Sequence, residues 1–244
     1  MARYLRQLPI DGIGAAGQQR LFDATVLVAG VGGLGGTVAT HLAAAGVGRL
    51  LLTHEGPLEL PDLNRQTLMS PDWLGHSRVA CARAALHRFN PDVDVTAMDA
   101  RLTDANALAL VAQAQVAVSC RLNFEEREVL NRACIALGVP MIEAAMWGME
   151  YTLTTIVPGQ TPCLKCIFPA FPDWDHLGFP VLGAVPGALG SLAAAEVVKV
   201  ITGMGTPLAG TLLHGDMGEM TFRRIRIRRR ADCPACGAPT RGDE

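Results

Sequence analysis

The run Thr25-Val-Leu-Val-Ala-Gly-Val-Gly-Gly-Leu-Gly-Gly36 decides the fold of this chain. Thr25 to Ala29 is short and apolar and reads as a buried strand. It runs straight into a turn rich in glycine. An Ala-rich apolar stretch from Thr37 to about Ala45, ended by Gly46, reads as a helix. Strand, glycine turn and helix in that order make a nucleotide-binding unit the leading reading. Gly30, Gly32, Gly33 and Gly35 let backbone approach a phosphate, and the helix N-terminus offers unpaired N–H groups and a favourable dipole. A tight turn with no ligand shares the same local pattern.

Outward from this unit the order alternates. Arg49–Thr53 reads as a second strand, Pro57–Gln66 as a loop, and Ser77–Arg88 as a helix stopped before Asn90-Pro91. Val93–Met98, Val116–Cys120 and Val139–Glu143 read as further strands. Helices starting at Asp104, as N-cap, and at Phe124 lie between them. This β-α alternation predicts an α/β protein with a Rossmann-like, mostly parallel sheet flanked by helices. Past Glu143 the pattern changes. Tyr151–Val157 reads as a strand, Phe168–Val185 as a long loop and Gly187–Ile201 as a helix. Leu208–His214 and Met220–Arg228 read as an antiparallel pair turning near Gly215 and Gly218.

Two short cysteine pairs, Cys163-Leu-Lys-Cys166 and Cys233-Pro-Ala-Cys236, stand far apart in the chain. One Cys-x-x-Cys turn supplies two soft ligands, so two such turns can close one structural four-cysteine zinc site and clamp the C-terminal segment to the body. A redox dithiol is the competing reading, but neither pair sits at the strand-to-helix junction that such a dithiol uses. Cys81, Cys120 and Cys134 read as small buried residues.

At 244 residues, half of them hydrophobic, the chain has material for one large core. A formal net charge of -2 argues against nucleic acid as a partner. The run Arg223–Arg230 is the local exception. It reads as a strand with a charged solvent face near a sheet edge, and otherwise as a patch for an acidic partner. The polar start at Met1–Gln7 reads as lacking a signal peptide. Val181–Ile201 is interrupted by Glu196 and Lys199 and reads as a core helix, so no membrane role is expected. Unpaired cysteines suit a reducing cytoplasm.

The ordered motifs resemble the ThiF/MoeB/HesA family, the bacterial relatives of ubiquitin-activating enzymes. The resemblance rests on Arg3–Gln7, Gly17-Gln18, the glycine turn, Ala43–Gly48, Asn64-Arg65-Gln66, Asn90-Pro91, Asn123-Phe124, Asn131 with Cys134, Gly187–Lys199 and both cysteine pairs. It implies one domain over residues 1–244. Its nucleotide-binding part runs to about residue 145, and a zinc, crossover-loop and C-terminal sheet part fills about 146–244. It also implies an adenylyltransferase that takes ATP and Mg2+ and activates the C-terminal carboxylate of a Gly-Gly-tailed ubiquitin-like carrier or peptide. The implied assembly is a homodimer. Arg65 and Arg78 match phosphate-contacting positions, and Arg6 matches one supplied across the dimer. Asn64, Gln66 and Asn123 match nucleotide-binding positions.

The chain also departs from this pattern. Where the family carries Asp-x-Asp after the second strand, it has His54-Glu55-Gly56, leaving Glu55 as the carboxylate for the ribose hydroxyls. Arg78 replaces a lysine. Leu122 replaces the magnesium-binding aspartate and has no oxygen to offer. Glu125, Glu126 and Arg121 are the substitutes at hand. The long loop lacks the family's cysteine, and its His176 is a weak candidate base. Two other function classes follow. One is a non-catalytic, zinc-stabilised dimeric binding module, favoured by Leu122 and His54. The other is a dinucleotide-dependent oxidoreductase with Glu55 on the adenosine ribose.

Overall fold

A computed structural model describes residues 1–171 and 178–237. Eight strands form one mixed sheet in the order β3-β2-β1-β4-β5-β6-β7-β8. β1 (Thr25–Ala29), β2 (Arg49–Thr53), β3 (Asp94–Met98), β4 (Val116–Ser119) and β5 (Met141–Trp147) pair in parallel. β6 (Glu150–Ile156), β7 (Thr211–Asp216) and β8 (Thr221–Arg226) extend the sheet antiparallel. The helices are α1 (Gly14–Phe22), α2 (Gly33–Ala45), α3 (Arg78–Phe89), α4 (Asp104–Val111), α5 (Phe124–Leu137), α6 (Leu164–Ile167) and α7 (Ala184–Thr202).

β1 shows why the sheet is buried on both faces. Alternate side chains of a strand point to opposite sides. Val26 and Val28 join Val38 and Leu42 of α2 and Leu189 and Val197 of α7 in one core. Leu27 and Ala29 join Leu110 of α4 and Leu130 of α5 in the other. A strand feeding two cores must be apolar at every position, as Thr25–Ala29 nearly is.

Several boundaries differ from the sequence reading. α2 begins at Gly33, inside the glycine run rather than after it. α1 has no counterpart in that reading, because Gly14, Gly17 and two glutamines mask its period. Thr103, not Asp104, caps α4, in a capping box with Asn106. β5 runs on to Trp147 and turns through Gly148 into β6. β7 continues to Asp216, so the turn lies at Met217–Met220, with Met220 at φ 51°. α7 starts before Pro186, which the first helical turn tolerates.

α7 is long and apolar enough to cross a membrane by length and composition. It packs instead on α2 and β5. Its Glu196 is buried and accepts hydrogen bonds from Thr155 Oγ1 (2.5 Å) and the Leu208 N–H (2.7 Å). β8 is one edge strand of the sheet, with β3 at the other edge, and every residue of it is exposed, the apolar Phe222 and Ile225 as well as the arginines.

Candidate functional site

The C-terminal ends of β1 and β4 meet the N-terminus of α2 at the glycine turn. Gly30 has φ +98°, and a side chain there would meet the Cys120 carbonyl and Arg121 Cδ, each at 2.8 Å. A side chain on Gly35 would land on the Gly30 carbonyl. These two positions hold α2 tight against the strand end. Gly32, the N-cap, has no side chain to cap the helix. The first-turn N–H groups therefore remain for a ligand, with the helix dipole behind them.

A cavity of about 330 Å³ opens in front of this turn. Four arginines line it, Arg65, Arg78, Arg121 and Arg127, against one carboxylate, Asp62. Asp62 is buried and uses both oxygens: Oδ1 pairs with Arg65 Nη2 at 3.0 Å and Oδ2 with Arg78 Nη2 at 2.9 Å. The carboxylate fixes the direction of both guanidiniums without cancelling the surplus of positive charge. Arg65 also donates to the Pro61 carbonyl and to Asn64 Oδ1, each at 2.9 Å. The Phe179 ring lies 5.5 Å from its guanidinium carbon.

His54 sits in the same wall. The Val31 N–H donates to its Nδ1 at 2.9 Å. Its Nε2 stands 2.8 Å from Arg78 Nη1. A neutral imidazole has one acceptor nitrogen, so the ring satisfies only one of these two donors at a time. Burial, then the charges of Arg121 and Arg78, lower the His54 pKa to about 3, so the ring is neutral. Gln66 Oε1, Arg78 Nε and Arg121 Nε are buried and without a hydrogen-bond partner among the described residues. Each leaves the cavity wall with unused polar capacity. Cys120 also lines the cavity, where burial and the Glu143 carboxylate push its thiol pKa up.

The wall opposite α2 is built by β4 and α5. Arg121 Nη2 pairs with Glu126 Oε1 at 2.6 Å. Glu126 is 2% exposed and also accepts from Asn123 Nδ2 (2.9 Å) and the Leu102 N–H (3.1 Å). Burial pushes its carboxyl up, but these hydrogen bonds and Arg121 outweigh burial and keep it below the usual carboxylate range. Glu125 pairs with Arg101 at 3.1 Å and does not line the cavity. Leu122 is 51% exposed and supplies only carbon. The residues present therefore do not fit a magnesium ion, which needs oxygen ligands. No described carboxylate of the cavity is free to serve as one.

The structure brings Gly32, Gly33, Arg65, Gln66, Arg78 and Asn123 together in the lining of the cavity. Gly30 and Gly35 stand behind it as packing positions. Asn64 is one step removed, accepting from Arg65 and donating to the Val181 carbonyl at 3.3 Å. Glu55 is exposed and outside the lining, and His54 occupies that wall. Arg6 is exposed and does not line its own chain's cavity. His176 lies outside the described residues. Asp62 and Arg127 join the site without having been expected there. Glu59 and Asp62 form a capping box, a local signal that could have exposed Asp62. Arg127 is 2% exposed, pairs with Glu143 and lies 4.0 Å over the Phe124 ring. A charge on the buried face of a helix was its only mark in the sequence.

The four cysteines of the two pairs come together. Their Sγ atoms all lie within 4.8 Å of one another, with Cys163–Cys233 at 3.7 Å and Cys166–Cys236 at 3.4 Å. A tetrahedral metal with sulfur at about 2.3 Å needs edges of about 3.8 Å. All four are buried, and the Arg230 N–H donates to Cys166 Sγ at 3.4 Å. Asn131 Oδ1 accepts from the Leu164 N–H at 3.0 Å and ties the first turn to α5. The cluster has the donor set and spacing to hold a metal ion.

The comparisons with known proteins agree with this geometry. The family model described as "ThiF family" matches residues 4–235. Protein HesA of Trichormus variabilis, the heterocyst form, is 51% identical over 97% of this chain and 89% of its own length. The sulfur carrier protein adenylyltransferase of Thermus thermophilus is 37% identical over 96% of this chain and 90% of its own. A solved structure of E. coli MccB with AMPCPP and selenomethionine MccA superposes with TM-score 0.81. It shares 26% identity, covering 92% of this chain and 70% of that one. Adenylyltransferases thus recur among the relatives, which does not suit the oxidoreductase reading. With a glycine turn facing an arginine-lined cavity, and with the family model spanning nearly its whole length, the chain belongs to the ThiF family.

Proposed function

We propose that this chain uses ATP to adenylate the C-terminal carboxylate of a small ubiquitin-like sulfur carrier with a Gly-Gly tail, or of a peptide. The observation that carries this reading is the open N-terminus of α2 facing four arginines in one cavity. A carboxylate oxygen attacks the α-phosphorus, and the bond from that phosphorus to the bridging oxygen breaks. Pyrophosphate leaves with the electron pair, and an acyl-adenylate remains. Negative charge grows on the phosphates along this path, so fixed cations count for most. Arg65 and Arg78 are already oriented by Asp62 and need little reorganisation.

Arg6 is exposed on an N-terminal arm held down by the buried ring of Tyr4, against which Phe22 packs edge-on. Its place outside its own cavity supports a homodimer in which it serves the partner's site. The four buried thiols support zinc as a structural ion, and the unpaired cysteines support a cytoplasmic setting.

ATP–pyrophosphate exchange with candidate Gly-Gly-tailed carriers tests the reading. Exchange that Arg65→Ala abolishes is the expected result. Mixing Arg6→Ala with Arg65→Ala protein then restores part of it, if each site draws Arg6 from the partner. ATP binding without exchange for any carrier would instead favour a binding module, the reading that exposed Leu122 supports. A protein that binds no ATP would defeat both.

A further inference from the structure

We propose that Arg121 stands in for a divalent cation in this chain, so that the site takes its nucleoside triphosphate without needing magnesium. The inference rests on the adenylation reading for the presence of a triphosphate and goes beyond it in naming what neutralises that charge.

Three observations carry it. First, Arg121 is aimed at the ligand. Its stem crosses the glycine turn, so close that Gly30 has no room for a Cβ, and its guanidinium lines the cavity. Second, it is held there. Nη2 is fixed on Glu126 at 2.6 Å, while Nε is buried with no hydrogen-bond partner among the described residues. Third, no carboxylate competes with it for the role, and the unpartnered Gln66 Oε1 in the cavity wall carries no charge. Asp62 spends both oxygens on Arg65 and Arg78, and also accepts from the Glu59 N–H at 3.0 Å. Glu126 is saturated by Asn123, Leu102 and Arg121, and Glu125 faces away onto Arg101. Leu122 closes the list with a side chain of carbon alone.

A guanidinium suits the task. It stays charged at any relevant pH and grips two phosphate oxygens in a fork. Unlike a metal carried by the nucleotide, it stays with the protein when pyrophosphate leaves. Its cost is selectivity, because a fixed charge binds magnesium-free ATP as readily as the magnesium complex.

Isothermal titration of the full chain with ATP, in excess magnesium and in excess EDTA, tests this. The expected result is affinity in EDTA equal to or tighter than affinity in magnesium, and Arg121→Gln weakening magnesium-free binding about 10- to 100-fold. Arg121→Gln combined with Leu122→Asp restores an oxygen at an exposed position and should bind ATP only with magnesium. Arg121→Lys, which keeps the charge and loses the fork, serves as the gentler variant and should fall between. ATP binding by the unaltered chain that disappears in EDTA overturns the inference while leaving the nucleotide reading intact. Binding in EDTA that Arg121→Gln leaves unchanged overturns it too. Absence of ATP binding in either buffer removes the nucleotide reading and this inference together.

Discussion

His54 shows how much one residue is constrained by what surrounds it. Its ring accepts from the Val31 N–H and lies among three groups that either donate or carry positive charge. Its folded pKa of about 3 lies well below the ordinary value of 6.5 for an unperturbed ring. On acidification the unfolded chain takes up this proton first. The stabilisation is therefore complete above about pH 6.5 and is lost as pH falls toward 3. Between those limits the residue should add a slope of up to about 1.4 kcal/mol per pH unit. Urea midpoints from pH 7 to pH 4.5 check this, with His54→Asn expected to show the shallower slope. Equal slopes would refute it. At this scale the glycines were legible from their place between a strand and a helix, and Arg65 and Arg78 only through the family resemblance. Asp62 was not, because nothing in its residue type distinguishes a loop carboxylate that clamps two arginines from one that faces water.

At the scale of elements, the nucleotide turn depends on how α2 is held. α7 crosses α2 at Gly190, where a Cβ would stand 2.6 Å from Thr37 Cβ and 2.8 Å from the Leu34 carbonyl. Thr37 in turn donates from Oγ1 to the Gly33 carbonyl at 2.9 Å, one turn from the phosphate-facing end of the helix. Gly190→Ala should therefore push the helices apart and destabilise the protein by about 1–3 kcal/mol. ATP affinity should weaken with it, because the turn shifts. Denaturant midpoints and nucleotide titration of the same variant report the two effects, and an unchanged midpoint would show that the contact has slack. Strand and helix order was readable because apolar runs and caps are local signals. α1 escaped because its glycines and glutamines break the apolar period, and β5 overran its expected end because Ala144–Trp147 packs only once β6 folds back on it.

Across the whole molecule, the sheet divides two cores and the cysteine cluster sits at the edge of one of them. The cluster joins Cys163–Cys166, beside α5, to Cys233–Cys236 some seventy residues later, and the cavity draws no residue from it. Stripping the metal with a strong chelator, or Cys233→Ser, should free the segment around residues 233–237 and lower Tm by roughly 5–15 °C. ATP affinity should stay within about twofold, since the two sites share no residue. Metal analysis of the purified protein should find about one zinc per chain, and a metal-free preparation of undiminished Tm would remove the structural site. What the amino-acid order determined alone was the α/β alternation, the glycine turn and two Cys-x-x-Cys turns able to share a metal, all of them read from local patterns. What only the tertiary structure decided was which charges are spent on one another. Asp62, Glu126 and Glu143 are all carboxylates in the sequence, but folding commits each to an arginine at close range. The positive charge left over, where Arg65 and Arg78 share the single carboxylate of Asp62, defines the chemistry of the cavity.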